Sequence, residues 1–104
     1  MSSAHATAWV MLTVPDDLAE AVADWLLDVD APGFTGYAIS GHSGAGQGLS
    51  LHEQVRGRRR GYQYQIEMPA DAVAAFLEQL RAAFVGSRIR YAVLPVITAG
   101  KLHR

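Results

Sequence analysis

The chain carries one pattern twice, and that repetition limits the folds open to it. An apolar, β-branched stretch runs into Val14-Pro15, an amphipathic helical stretch follows, and a further extended stretch comes next. The same order recurs through Met68-Pro69. Aligning the two prolines also aligns Asp17 with Asp71 and Leu26 with Leu80. Two strand–helix–strand units with right-handed crossovers build an α+β, ferredoxin-like βαββαβ sandwich. Its expected form is a four-stranded antiparallel sheet with two helices on one face.

The local signals agree with that frame. In residues 8–14, Val10, Leu12 and Val14 alternate with Trp9, Met11 and Thr13, and both sets are largely apolar. This predicts a central strand covered on both sides. Pro15 is expected to open a helix with Asp16 and Asp17 in its first turn, where the helix dipole favours acids. Leu18, Val22, Trp25, Leu26 and Val29 form its apolar stripe, and Pro32-Gly33 ends it. Asp28 and Asp30 fall near its C-terminus, the unfavourable end for acids, which predicts a basic partner nearby. Residues 34–40 read as a second strand. Tyr62, Tyr64, Ile66 and Met68 alternate with Gln63, Gln65 and Glu67 in a half-exposed third strand over 62–68. A second helix after Pro69 carries Val73, Phe76, Leu77, Leu80 and Phe84. Residues 88–97 form the last strand, with Pro95 marking a bend or an edge.

A single domain over residues 1–104 suits the length. The chain has no cysteine, so disulfides, thiolate metal sites and cysteine catalysis are excluded. No apolar run is long enough to span a bilayer and the start lacks a secretory pattern, so direct membrane insertion is not expected and a cytoplasmic location is. The net charge of −1 conceals a split. Residues 1–54 hold seven acids and no Lys or Arg, whereas residues 55–104 hold nine bases and three acids. Such asymmetry points to complementary surfaces, within an oligomer or toward a partner, and not to nucleic-acid binding. Helices on one face would leave Trp9, Met11, Tyr37 and Ile39 without cover on the other. A patch of that kind predicts self-association, and a closed ring of three is one solution.

Residues 41–61 form a long Gly-, Ser- and Gln-rich connection. Flanking it, "GFTGYAISGHSG" (Gly33 to Gly44) and "EQVRGRRRGYQYQI" (Glu53 to Ile66) resemble the PII-like and CutA-type trimeric superfamily. Within it, the chain is similar to a short bacterial family of PII-like proteins often encoded beside heavy-metal efflux pumps. The resemblance implies a homotrimeric signal-transduction protein. A small effector would bind in clefts between subunits, and the 41–61 segment, in the place of the T-loop, would engage a partner such as a membrane transporter or efflux pump. In the loop where PII proteins contact ATP phosphates through a lysine, this chain has "FVGSR" (Phe84 to Arg88). Residues 42–60 contain no tyrosine for uridylylation.

Several candidate sites follow. Arg56, Arg58, Arg59 and Arg60 place four guanidinium forks within five positions, suited to phosphate or carboxylate. With Thr35 and Gly41 they form the candidate effector site, an adenine nucleotide being one ligand; a solvated loop edge is the alternative. His42, His52 and His103 are candidate ligands for Zn, Cu or Ni in a CutA-like metal-tolerance role, against a reading as exposed histidines. Ser50 and Glu53 have the spacing of a capping box, and Leu49, Leu51, Glu53 and Val55 are the candidate partner-docking residues. No nucleophile–base arrangement appears, so no enzymatic activity is expected.

Overall fold

The computed structural model describes residues 6–42 and 58–102. Strand β1 (Thr7–Pro15) leads through a 3-10 turn (Asp16–Leu18) into helix α1 (Ala19–Asp28). Strands β2 (Phe34–His42) and β3 (Arg58–Pro69) follow, then a second 3-10 turn (Ala70–Ala72), helix α2 (Val73–Ala83) and strand β4 (Arg90–Val96). The sheet order is β2-β3-β1-β4, and every neighbouring pair is antiparallel. This is the ferredoxin-like α+β arrangement. No helix among the described residues is long and apolar enough to cross a membrane.

The core lies between one sheet face and the helices. Val10, Leu12 and Val14 from β1 and Tyr64, Ile66 and Met68 from β3 meet Val22 and Leu26 of α1 and Phe76 and Leu80 of α2. Trp25 joins the two helices, its ring 5.7 Å from that of Phe76 and 6.1 Å from that of Phe84 between centroids. The Tyr64 hydroxyl donates a 2.8 Å hydrogen bond to the Ala19 carbonyl, tying β3 to the start of α1. Burial, then the neighbouring Tyr62 and Asp24, raises the Tyr64 pKa above its ordinary value. The phenol is thus held in its donating form.

Four expectations need correction. Pro15 and Pro69 do not begin the helices. Each is the last residue of its strand, paired with Gly61 and Thr7 respectively, and a 3-10 turn intervenes. Their φ of −57° with ψ of 150° and 139° is extended backbone, which continues a strand edge as readily as it precedes a helix. Helix α1 stops before Pro32-Gly33. Asp30 adopts φ 54°, and Ala31 N–H bonds back to the Leu26 carbonyl at 3.0 Å, a left-handed C-terminal cap that Asp tolerates better than most residues. The connection between β2 and β3 is shorter than 41–61. Gly41 and His42 pair with Arg59 and Arg58, and Arg60 and Gly61 also lie in the ladder. Finally, β1 is central in the sheet but covered on one face within the chain. Val10, Leu12 and Val14 are buried, whereas Trp9 is exposed and Met11 and Thr13 are half-buried.

Gly61 sits in β3 between Pro15 of β1 and Ile39 of β2. A Cβ there would stand 2.6 Å from the Val14 carbonyl oxygen, a contact backbone must move to relieve. The glycine thus serves the chain's own sheet. Gly61→Ala is expected to destabilise the fold by roughly 1–3 kcal/mol. Gly33→Ala, with open space around it, should change stability far less. Urea unfolding of the two variants side by side checks this.

Candidate assembly face and hairpin end

The strand period places two rows of side chains on opposite faces. Opposite the helices, the ladder puts Tyr37, Gln63, Thr13 and Arg90 in one row, and Thr35, Gln65, Met11 and Ala92 in the next. Glu67, Trp9 and Leu94 follow, and then Pro69, Thr7 and Val96. The apolar members are uncovered: Trp9 is 38% exposed, Tyr37 41% and Leu94 47%. Two hydrogen bonds organise the surface without covering it. Trp9 Nε1 donates to Glu67 Oε1 at 3.2 Å, and Gln65 Nε2 donates to the Tyr37 hydroxyl at 2.8 Å. Indole and phenol therefore keep their polar atoms satisfied while their rings lie open, a pattern typical of side chains that bury on association.

Strand β4 extends this open surface past the sheet edge. Tyr91 and Val93 stand on the helix-side face yet remain exposed, because the helices do not reach over the edge strand. A depression of about 210 Å³ opens there, lined by Leu77, Leu80, Phe84, Ser87, Ile89 and Tyr91 among others. The expectation of an edge strand from Pro95 is met by the sheet order.

The second feature is the far end of the β2–β3 hairpin. Its ladder continues past Pro15, where β1 stops, through the pairs Ser40–Arg60, Gly41–Arg59 and His42–Arg58. The backbone thus brings Gly41, His42 and three of the four candidate arginines to one end of the sheet. Arg60 is exposed there. Thr35 does not join them. It lies opposite Gln65, six residues from Gly41 along β2, roughly 20 Å away. Thr35 therefore lies apart from the hairpin end that holds Gly41. Arg56, Leu49, Leu51, Glu53, Val55, His52 and His103 lie outside the described residues. Among the described residues no group of three or more His, Asp or Glu side chains is placed to hold a metal. Asp28 and Asp30 are exposed and have no basic partner among the described residues; an ion pair joins Arg81 and Glu78 at 3.1 Å on α2.

Sequence reasoning missed two further features. The extension of β3 back to Arg58 was hidden by a run of arginines that reads as solvated. The charges Glu67 and Arg90, both on the open face, have a period-two signal once the strands are aligned.

Fold and site together define a ferredoxin-like α+β domain with one packed and one open sheet face. The chain belongs to the family described as "Protein of unknown function (DUF3240)", whose model matches residues 4–103. No curated protein matches it. Among solved structures it is similar to a DUF3240 family protein from Shewanella baltica, with a TM-score of 0.72 and 23% identity over 98% of this chain and 99% of that one. A functionally unknown protein from Pediococcus pentosaceus has a TM-score of 0.62 and 18% identity, over 93% of this chain and 98% of that one. A Bacillus cereus protein related to NIF3 has a TM-score of 0.67 and 20% identity, and 96% of this chain covers 27% of that longer one. At these identities the likeness concerns the fold.

Proposed function

We propose that the chain is a PII-like regulatory protein that self-assembles through its open sheet face and signals through the segment joining β2 to β3. The observation that carries this reading is the face itself. Trp9, Tyr37 and Leu94 stand exposed, with Met11 half-buried among them, on a sheet whose other side packs its central strands against the helices. Exposed aromatic and aliphatic surface of this kind is favourable to bury, at roughly 25 cal/mol per Å² of apolar area. Three copies in a closed ring follow from the resemblance to PII-like proteins.

In that assembly the hairpin end is the effector site. The ladder register brings the backbone of Arg58, Arg59 and Arg60 to that end of the sheet, and guanidinium groups favour phosphate or carboxylate. A small anionic effector, an adenine nucleotide being the first to test, would act on the adjoining segment. That action would switch the segment's contact with a partner, a membrane transporter or efflux pump. The switch can be no larger than the effector's differential affinity for the two states.

A thermal-shift panel tests the effector. Saturating ATP, ADP, AMP or a cyclic nucleotide is expected to raise the melting temperature on the order of 10 °C at a hundred times Kd. The combined Arg58→Ala and Arg59→Ala variant should lose the shift. Silence across the nucleotides overturns the nucleotide reading. A chelator-reversible shift with Zn, Cu or Ni, lost in the combined His42→Ala and His52→Ala variant, would replace it with CutA-like metal binding.

A further inference from the structure

We infer that the open face is built to receive a second copy of this chain in a fixed register, set by Glu67 of one copy against Arg90 of the other. This rests on the self-assembly proposed above and adds the contact that orients it.

Between the row at Thr7 and the row at Pro15 the open face carries one acid and one base. Glu67 lies on β3, beside Trp9, and Arg90 lies on β4, beside Thr13. Both side chains are exposed. Met11 stands between them, one strand from each and two residues from each along the strand direction. Two strand spacings and four residues of rise separate the charges by roughly 16 Å, beyond the reach of an ion pair within the chain. Glu67 also stands at a margin of the sheet. Strand β2 begins at Phe34, opposite Ile66, so no β2 residue flanks Glu67. Arg90 stands on the opposite edge strand. Each copy therefore offers an acid on one side of an apolar centre and a base on the other.

That polarity constrains what can cover the face. An apolar partner laid over Trp9, Met11 and Leu94 would bury a carboxylate and a guanidinium without counter-charges, and an uncompensated buried charge is strongly destabilising. In a closed ring of three, one neighbouring copy brings the base for Glu67 and the other brings the acid for Arg90. Sheets stacked face to face cross at angles from about 30° to 90°, which allows a charge at one level of a sheet to stand over another level of its neighbour. The indole bond from Trp9 to Glu67 occupies one lone pair of Oε1 and leaves the rest of the carboxylate to accept from a guanidinium. Guanidinium and carboxylate then pair as a planar fork on a fork.

Charge reversal tests the pairing on the full chain. Sedimentation velocity across a concentration series would compare wild type with Glu67→Arg, Arg90→Glu and the double reversal. Each single reversal places like charges together and is expected to weaken association roughly 30-fold or more. The double reversal, which restores opposite charges, is expected to regain most of it. Circular dichroism confirms folding, and both sites are exposed in the single chain. Single reversals that leave association unchanged, or a double reversal as weak as the singles, overturn the pairing. A wild-type chain that stays monomeric at micromolar concentration instead overturns the self-assembly beneath it.

Discussion

Met11→Asp is expected to turn the assembly into folded monomers. Met11 is half-buried at the middle of the open face, flanked by Gln65 and Ala92 in the ladder and by Trp9 two residues away on the same strand. In the isolated chain an aspartate there still reaches water, so the sheet and helices should form as before. In the assembly the same carboxylate is enclosed by a sister face with no base opposite it. Burying an unpaired ion costs several kcal/mol even after relaxation. About 4 kcal/mol corresponds to a dissociation constant roughly a thousandfold weaker. Sedimentation would show the mass of one chain at concentrations where the wild type is assembled, with an unchanged far-ultraviolet spectrum.

Leu12→Ala, one position along the same strand, should do the reverse. Leu12 is fully buried, faces the helices, and lies between Tyr64 of β3 and Tyr91 of β4 in the ladder. Removing its side chain leaves a cavity in the core. Substitutions of this kind cost about 2–5 kcal/mol, depending on how far the surroundings collapse. For a marginally stable domain that is a large share of the total. The variant is expected to melt well below the wild type while its folded fraction presents the same outer face. Neighbouring residues with opposite phenotypes, one on assembly and one on folding, would follow from the strand period alone.

That period is also why so much of the fold was legible. Alternation in β1 and β3 and the helical stripes at Val22, Leu26, Phe76 and Leu80 are set by burial, and burial is what periodicity reports. The element ends were less legible because they depend on partners distant in sequence. Arg58 to Gly61 are strand because β2 supplies a ladder, not because of their own preference. Asp30 ends α1 through a left-handed backbone that a single acid in a polar stretch does not announce. The need for glycine at position 61 comes from the Val14 carbonyl, a neighbour distant in sequence.

The site was read less completely for a related reason. The uncovered aromatic residues followed from counting faces, since two helices cannot cover both sides of a sheet. The distance between Thr35 and Gly41 required the strand to be known as continuous. The roles of Glu67 and Arg90 required the register between β1, β3 and β4, which no local pattern carries.

Light scattering on the wild-type chain at micromolar concentration bears most directly on the proposal that sister copies cover the sheet. A mass of three times the 11.2 kDa of one chain is the predicted result. A mass of 11.2 kDa, persisting as the concentration rises, would contradict it.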